Sequence, residues 1–252
     1  MSERSTTADT ATALSPAETR GLRVALSPYL FRGMLASMGA AAIVLYQVTR
    51  SRRRTWEFAK ARARTLTWML GVEVDVLGAE HVSDGGPFVF ASNHQSHLDI
   101  LCLLGFLPGE TRFAAKRQLW KYRIMAGILD TLEMVPIDRD QPEQAIGALD
   151  RAARKRQSIV IFPEGTRSRN GSLQPFKKGA FALAIASGMP IVPVVCRGTR
   201  RLMPKGSRLT VVPGKVEIVI CPPISTNDLR YEDREALAAR TRAAIEPHHT
   251  GW

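Results

Sequence analysis

The sequence predicts an α/β fold: a mostly parallel central sheet flanked by helices, preceded by two N-terminal helices of a different character. Three observations predict it. Short apolar runs bounded by Gly and Pro, such as "QSIVIFPEG" and "MPIVPVVCRG", have the composition of strands buried on both faces. Apolar helical stretches such as "DILCLLGFL" and "GAFALAIASG" alternate with them, and that alternation builds a parallel sheet covered on both sides. From Gly33 to Gly71 the chain is instead first uncharged and then densely cationic, without strand signals.

Taken in order, residues 1–24 are polar and small and are expected to form a disordered tail. Their start is neither basic nor apolar, which argues against a secretory signal. "LFRGMLASMGAAAIVLYQVT" follows, with no charge from Gly33 to Thr49, at the short edge of a spanning helix. "RSRRRTWEFAKARARTLTWML" then joins a burst of cations to Trp56 and Trp68, a pairing usual at a membrane interface. Residues 25–70 are therefore expected to be a membrane-associated helical hairpin, dipping into one leaflet rather than crossing it. The cations after residue 49 place the remainder at the cytoplasmic face. The plain alternative is a buried core helix followed by a solvated basic one.

Residues 71–252 carry the α/β pattern. Strands are expected in "VEVDVLG", "GGPFVFASN", "TRFAAK", "MVPID" and the two apolar runs above, with two more around Pro213-Gly214 in "RLTVVPGKVEIVICPPI". Further helices are expected in "LWKYRIMAGILDTL", "EQAIGALDRAARKR" and the closing "NDLRYEDREALAARTRAAI", the last capped by Thr226 or Asn227.

Composition narrows the class without choosing a function. The 252 residues are 45% hydrophobic and 23% charged, enough for a sizeable core and against wholesale disorder. Lys and Arg outnumber Asp and Glu by 35 to 23, and the formal charge of +12 suits an anionic partner: nucleic acid, a phospholipid surface or a phosphorylated substrate. The three cysteines, Cys102, Cys196 and Cys221, are far apart in apolar stretches. That spacing argues against a disulfide scaffold or a zinc ribbon and for buried thiols in a reducing compartment.

The segment "ASNHQSHLDI" concentrates chemistry. His94 and Asp99 are five apart, so inside one regular helix they would point about 140° apart at ~3.6 residues per turn. They can pair if His94 sits in a strand-to-helix turn and Asp99 in the first helical turn. "PFVFAS" supplies the strand, and Ser96-x-x-Asp99 has the form of a capping box. A cap alone would also explain Asp99, since an acid at a helix N-terminus is favoured without any catalytic duty. His97 makes a partial metal site conceivable, but His81, His248 and His249 lie in no ligand-like motif. No G-x-S-x-G elbow is present, which argues against a serine hydrolase.

A second group, Pro163, Glu164, Gly165, Thr166 and Arg167, follows the apolar strand of "IVIFPEGTRSRNG". Ligands of open α/β sheets bind beyond the carboxyl ends of strands, and an arginine there is a natural bidentate anchor for phosphate. Gly165 permits a tight turn. Glu164, among so many cations, is expected to pair with one of them, and Arg169 to be solvated. Lys177 and Lys178, before a helix, are further candidates for an anion.

With those residues in view, the chain resembles the glycerolipid acyltransferases, in particular the 1-acyl-sn-glycerol-3-phosphate acyltransferases. "NHQSHLD", with Asn93, His94 and Asp99, is similar to their NHxxxxD block. "AAKRQLWK" through "VPIDR", "FPEGTRS" and "VPVVCRG" match the following blocks in order, from about Val72 to Pro222. The resemblance implies transfer of a fatty acyl group from acyl-CoA or acyl-carrier protein, as co-substrate, to the sn-2 hydroxyl of 1-acyl-glycerol-3-phosphate. His94 would be the general base, a duty that imidazole suits near neutral pH, and Asp99 its orienting carboxylate. Arg167, Lys116 and Arg139 would bind the acceptor phosphate, although a salt bridge to Asp138 or Asp140 explains Arg139 nearly as well. No metal or other cofactor is expected. The partners implied are a phospholipid surface, a lysophospholipid and a thioester donor, and no nucleic acid. Two alternatives keep part of this picture: an O-acyltransferase for glycerol-3-phosphate or another lysolipid, and a non-catalytic polybasic membrane-binding protein.

Overall fold

The structure, a computed structural model, describes residues 16–83, 86–137, 151, 154–155 and 157–249. Two helices lead the chain, α1 (Pro16–Thr49) and α2 (Arg52–Met69). They break at Arg50, whose φ is 51°, and Ser51 caps α2 by accepting from the Arg54 N–H. Residues 16–24, expected in the disordered tail, are instead the first turns of α1. Their order has a tertiary cause: Ser27 is buried and its hydroxyl accepts from the Val211 N–H at 2.9 Å, docking this end of α1 on the domain. α1 is long and apolar enough to cross a membrane, and only 22% of that stretch is buried inside the protein, so it is not a core helix.

The sheet follows in seven strands: β1 (Val72–Leu77), β2 (Val89–Ser92), β3 (Thr111–Lys116), β4 (Val135–Ile137), β5 (Ser158–Ile161), β6 (Ile191–Arg197) and β7 (Gly214–Ile220). Their order is β1-β7-β6-β2-β5-β3-β4, and every pairing is parallel except β6 with β7. The mostly parallel sheet read from the alternating pattern is therefore present. Between the strands lie α3 (Leu98–Phe106), α4 (Arg123–Thr131), α5 (Gly179–Ser187) and a single turn, α6 (Thr199–Leu202); α7 (Arg234–His249) closes the chain.

Strand residues alternate between two cores, as a period of two requires. Phe90, Val160 and Val192 face α2 and α3 through Trp56, Leu66, Leu98 and Leu101. Val89, Ala91, Ile159 and Ile191 face α5 and α7 through Phe181 and Leu237. The result is a three-layer sandwich with β2 and β5 at its centre. Truncating a fully buried residue such as Leu98 or Phe181 would cost about 2–5 kcal/mol.

Several local expectations are corrected. "RLTVV" is not a strand: the Val211 N–H is taken by Ser27 and the Val212 N–H by the Leu202 carbonyl, leaving no ladder to join. The helix expected from Leu119 starts at Arg123, after a 3-10 turn over Arg117–Lys121. The last helix starts at Arg234 after a 3-10 turn, with Asp233 accepting from the Arg230 N–H, so neither Thr226 nor Asn227 caps it. Arg139, Asp138, Asp140 and most of the helix expected over "EQAIGALDRAARKR" lie outside the described residues.

Candidate active site

The parallel strands β6, β2, β5, β3 and β4 all end at one edge of the sheet, and the singled-out residues gather there because each follows a strand. His94 leaves β2, Glu164 to Arg167 leave β5, and Lys116 ends β3. Asn93 is fully buried and fastens the end of β2 to β6, its amide accepting from the Cys196 N–H at 2.7 Å and donating to the Cys196 carbonyl at 3.0 Å.

His94 and Asp99 pair as the strand-turn-helix reading requires. His94 Nδ1 lies 2.9 Å from Asp99 Oδ2. The same oxygen accepts from the N–H groups of Gln95 at 2.7 Å and Ser96 at 2.8 Å. Asp99 Oδ1 accepts from Thr199 Oγ1 at 2.5 Å. Half of the expected capping box forms: the Asp99 carboxylate reaches back to the Ser96 N–H, while Ser96 Oγ accepts from the Leu98 N–H and donates to the Met203 carbonyl. Capping and pairing thus share one carboxylate. Asp99 has no exposed side-chain surface, whereas His94 keeps 13% of its own. One ring nitrogen is therefore tied to a buried acid while the ring still reaches solvent.

The "FPEGTRS" segment holds the backbone of His94. Glu164 Oε1 accepts from the His94 N–H at 2.6 Å, and Oε2 accepts from the Gln174 N–H at 2.9 Å. The Ser168 N–H donates to the His94 carbonyl at 2.8 Å, and the Phe162 ring stacks on the imidazole at 4.0 Å. Gly165 makes the intervening turn, with φ 69° and its N–H on the Phe162 carbonyl. Glu164 was expected to pair with a cation; among the described residues its bonds are to backbone amides. Burial pushes its carboxyl above the usual range, and the amides of Gln174 and His94 oppose that push.

The expected anion-binding residues fall into two groups. Arg167 is half-buried, and its charge adds to burial in holding the neighbouring His97 imidazole neutral. Lys116 is exposed at the end of β3, and Arg117 beside it is exposed too. Thr166 and Arg169 are also exposed. Lys178 does not wait for an anion at the start of α5, because it bonds Glu235 of α7 at 2.7 Å. The metal alternative finds no support: among the described residues no group of His, Cys, Asp and Glu is arranged to hold an ion. His81 instead bonds the Ile220 carbonyl through Nδ1.

The cysteines are free and buried, and burial pushes the Cys102 and Cys196 thiols well up, with the Asp99 charge adding to it. Neither is an available nucleophile at neutral pH.

Three contributors escaped the sequence reading. Thr199 stands a hundred residues from Asp99 in sequence and carries no local pattern. Its approach depends on Gly198, whose φ is 93° and where a Cβ would lie 2.5 Å from the Lys215 carbonyl oxygen. Phe162 looked like an ordinary strand residue. The Gln95 amide bridges the Gly171 carbonyl and His249 Nε2, tying the end of α7 to the turn that carries His94.

Comparison with known proteins finds named relatives. An acyltransferase family model matches residues 73–197. The 1-acyl-sn-glycerol-3-phosphate acyltransferase alpha of Mus musculus is 37% identical over 71% of this chain and 64% of its own length. The Homo sapiens protein of the same name is 33% identical over 85% of this chain and 77% of its own. Among solved structures, the 1-acyl-sn-glycerophosphate (LPA) acyltransferase PlsC of Thermotoga maritima superposes with a TM-score of 0.71 at 28% identity, covering 93% of this chain and 98% of that one.

Proposed function

The chain belongs to the acyltransferase family typified by the 1-acyl-sn-glycerol-3-phosphate acyltransferases, and from that premise we propose that it acylates the sn-2 hydroxyl of 1-acyl-glycerol-3-phosphate to give phosphatidic acid. The donor is a fatty acyl thioester, acyl-CoA or acyl-carrier protein. The observation that carries the reading is the 2.9 Å contact of His94 Nδ1 with a fully buried Asp99.

The chemistry follows from that pair. An alcohol is a weak nucleophile until its proton is taken during attack. With Nδ1–H donated to Asp99, His94 presents a lone pair at Nε2. Nε2 takes the hydroxyl proton as the oxygen bonds to the thioester carbon. The tetrahedral oxyanion then collapses, the C–S bond breaks, and the imidazolium returns its proton to the leaving thiolate. Asp99 steadies the imidazolium without itself becoming protonated. Because attack is direct, neither a protein nucleophile nor a cofactor is required.

Arg167, Lys116 and Arg139 would hold the acceptor phosphate. The half-buried position of Arg167, close to His97, supports the first assignment, and the alignment of strand ends supports Lys116. Membrane attachment at the cytoplasmic face, through α1, is part of the same proposal, since both the acceptor and the product are lipids.

Purified full-length protein in detergent, offered a panel of lyso-acceptors and both thioester donors, tests the reading. Phosphatidic acid should form from 1-acyl-glycerol-3-phosphate. His94→Ala should abolish it with the fold intact, and Arg167→Ala should raise KM about tenfold or more for the acceptor and little for the donor. Unchanged turnover in His94→Ala would end the general-base assignment.

A further inference from the structure

A second apolar surface lies beside the uncharged stretch of α1. After Lys116 the chain makes its 3-10 turn and enters α4, and here Tyr122 is 69% and Ile124 81% exposed, with Leu119 beside them at 37%. Exposed Arg117, Lys121 and Arg123 are interspersed among these side chains. No Asp or Glu occurs between Glu110 and Asp130. The segment itself is thus both apolar and cationic, and the one acid it touches among the described residues is Asp130, which accepts from the Trp120 indole N–H at 2.8 Å.

Its position connects it to α1. Ile128, one helical turn beyond Ile124, packs so tightly on α1 that a Cβ at Gly39 would lie 2.3 Å from its Cδ1. Gly127 likewise faces Ile43. The first turn of α4 therefore flanks the uncharged stretch of α1, whose Val44 and Val48 are also exposed. Side chains four apart share a helix face, so Ile124 continues the row that Ile128 begins.

We propose that Leu119–Ile124 is a second bilayer-insertion element. Tyr122 and Ile124 enter the acyl boundary of the leaflet beside α1, and Lys121, Arg123 and Arg117 lie against anionic headgroups. The mix is that of an interfacial segment: apolar tips that leave water, with long cationic side chains that reach back to phosphates. With no acid of its own, a segment that sets Arg117, Lys121 and Arg123 beside exposed apolar tips is complementary to an anionic lipid surface. The segment starts directly after Lys116, at the strand edge that carries His94. Insertion here, beside α1, would hold that edge near the headgroups, where a lysolipid presents its hydroxyl. That consequence rests on the acyl-transfer reading; the surface itself does not.

The test places an environment-sensitive fluorophore on Ile124→Cys in the full chain, the native cysteines being buried. A matched label on exposed Asn227→Cys serves as control. On vesicles of phosphatidylcholine with phosphatidylglycerol, the label at 124 should shift to the blue, brighten several-fold and be quenched by lipids brominated near the head of the acyl chain, while the label at 227 stays in water. A label at 124 that remains aqueous on vesicle-bound protein overturns the proposal. So does a shift that depends on protein concentration and needs no vesicles, which would assign the surface to a second copy of the chain. Tyr122→Glu with Ile124→Glu should weaken vesicle binding about tenfold or more with an unchanged melting temperature. Wild-type vesicle affinity in that variant would equally overturn it. These readouts do not depend on turnover, so a protein without transferase activity would sink the function and leave the surface standing.

Discussion

At the scale of single residues, Asp99 has more partners than the proposed orienting role needs. It receives the imidazole, two backbone amides at the head of α3 and the Thr199 hydroxyl. Removing it by Asp99→Ala would uncap the helix as well as release the ring, confounding catalysis with stability. Asp99→Asn separates the two. An amide oxygen at the Oδ2 position still accepts from Gln95 and Ser96, and the amide nitrogen can face the Thr199 hydroxyl. The negative charge under the imidazolium is lost, so kcat should fall on the scale of about 10⁴, with the melting temperature little changed. In the proposed mechanism Thr199 would act through Asp99, as a positioning residue. Thr199→Val removes a hydrogen bond to a buried charged group and should lower kcat about 10- to 100-fold with KM nearly constant. Thr199→Ser should restore most of that loss; a serine variant as slow as the valine one would leave only packing as the explanation.

At the scale of elements, the helical pair is joined to the sheet by charge as well as by packing. Glu133, just after α4, meets Arg52 of α2, the buried Arg112 of β3 and Lys155. Burial works to raise its carboxyl, but hydrogen bonds from Lys155 and Gln157 and the charges of Arg52 and Arg112 overrule it and hold the group at about 2. A depressed acid stabilises the fold above its unfolded titration and loses that contribution as pH falls toward the folded value. Glu133→Gln should therefore cost about 1–2 kcal/mol at neutral pH, discounted for the exposed Lys155 partner. Denaturant melts of both proteins should show that gap shrinking as pH drops from 4.5, the ordinary carboxyl value, toward 2. A gap that persists undiminished at low pH would assign the effect to lost packing. The helices themselves were legible in sequence where their causes are local, as with the uncharged run after Gly33 and the cationic burst that follows it. The ends were not. α1 begins early because Val211 docks on Ser27, and "RLTVV" is no strand for the same reason.

At the scale of the whole molecule, charge and apolar surface would divide the labour of the proposed membrane attachment. The +12 chain should be drawn to anionic vesicles by a term that salt screens. Raising ionic strength tenfold shortens the screening length about threefold and should weaken binding markedly. The apolar contribution of α1 is insensitive to salt and should leave a residue of bound protein on neutral vesicles. Sedimentation with vesicles across a salt series checks this, and complete release at high salt would mean that α1 stays out of the lipid. The edge arrangement also explains why widely separated motifs lie together. β5 lies between β2 and β3, so three loops far apart in sequence open side by side.

By itself the sequence determined the α/β alternation, the uncharged-then-basic leader and the block containing His94 and Asp99, because burial periodicity, charge patterning and helix capping are written in neighbouring residues. Only the tertiary structure decided what supports that pair. Glu164 serves the His94 backbone instead of a cation, Phe162 stacks on the ring, and Thr199 closes over Asp99 from the helical turn after β6. Such contacts form between segments that the sheet order brings together, and a buried polar atom takes whichever partner the packing delivers, with no local pattern to announce it.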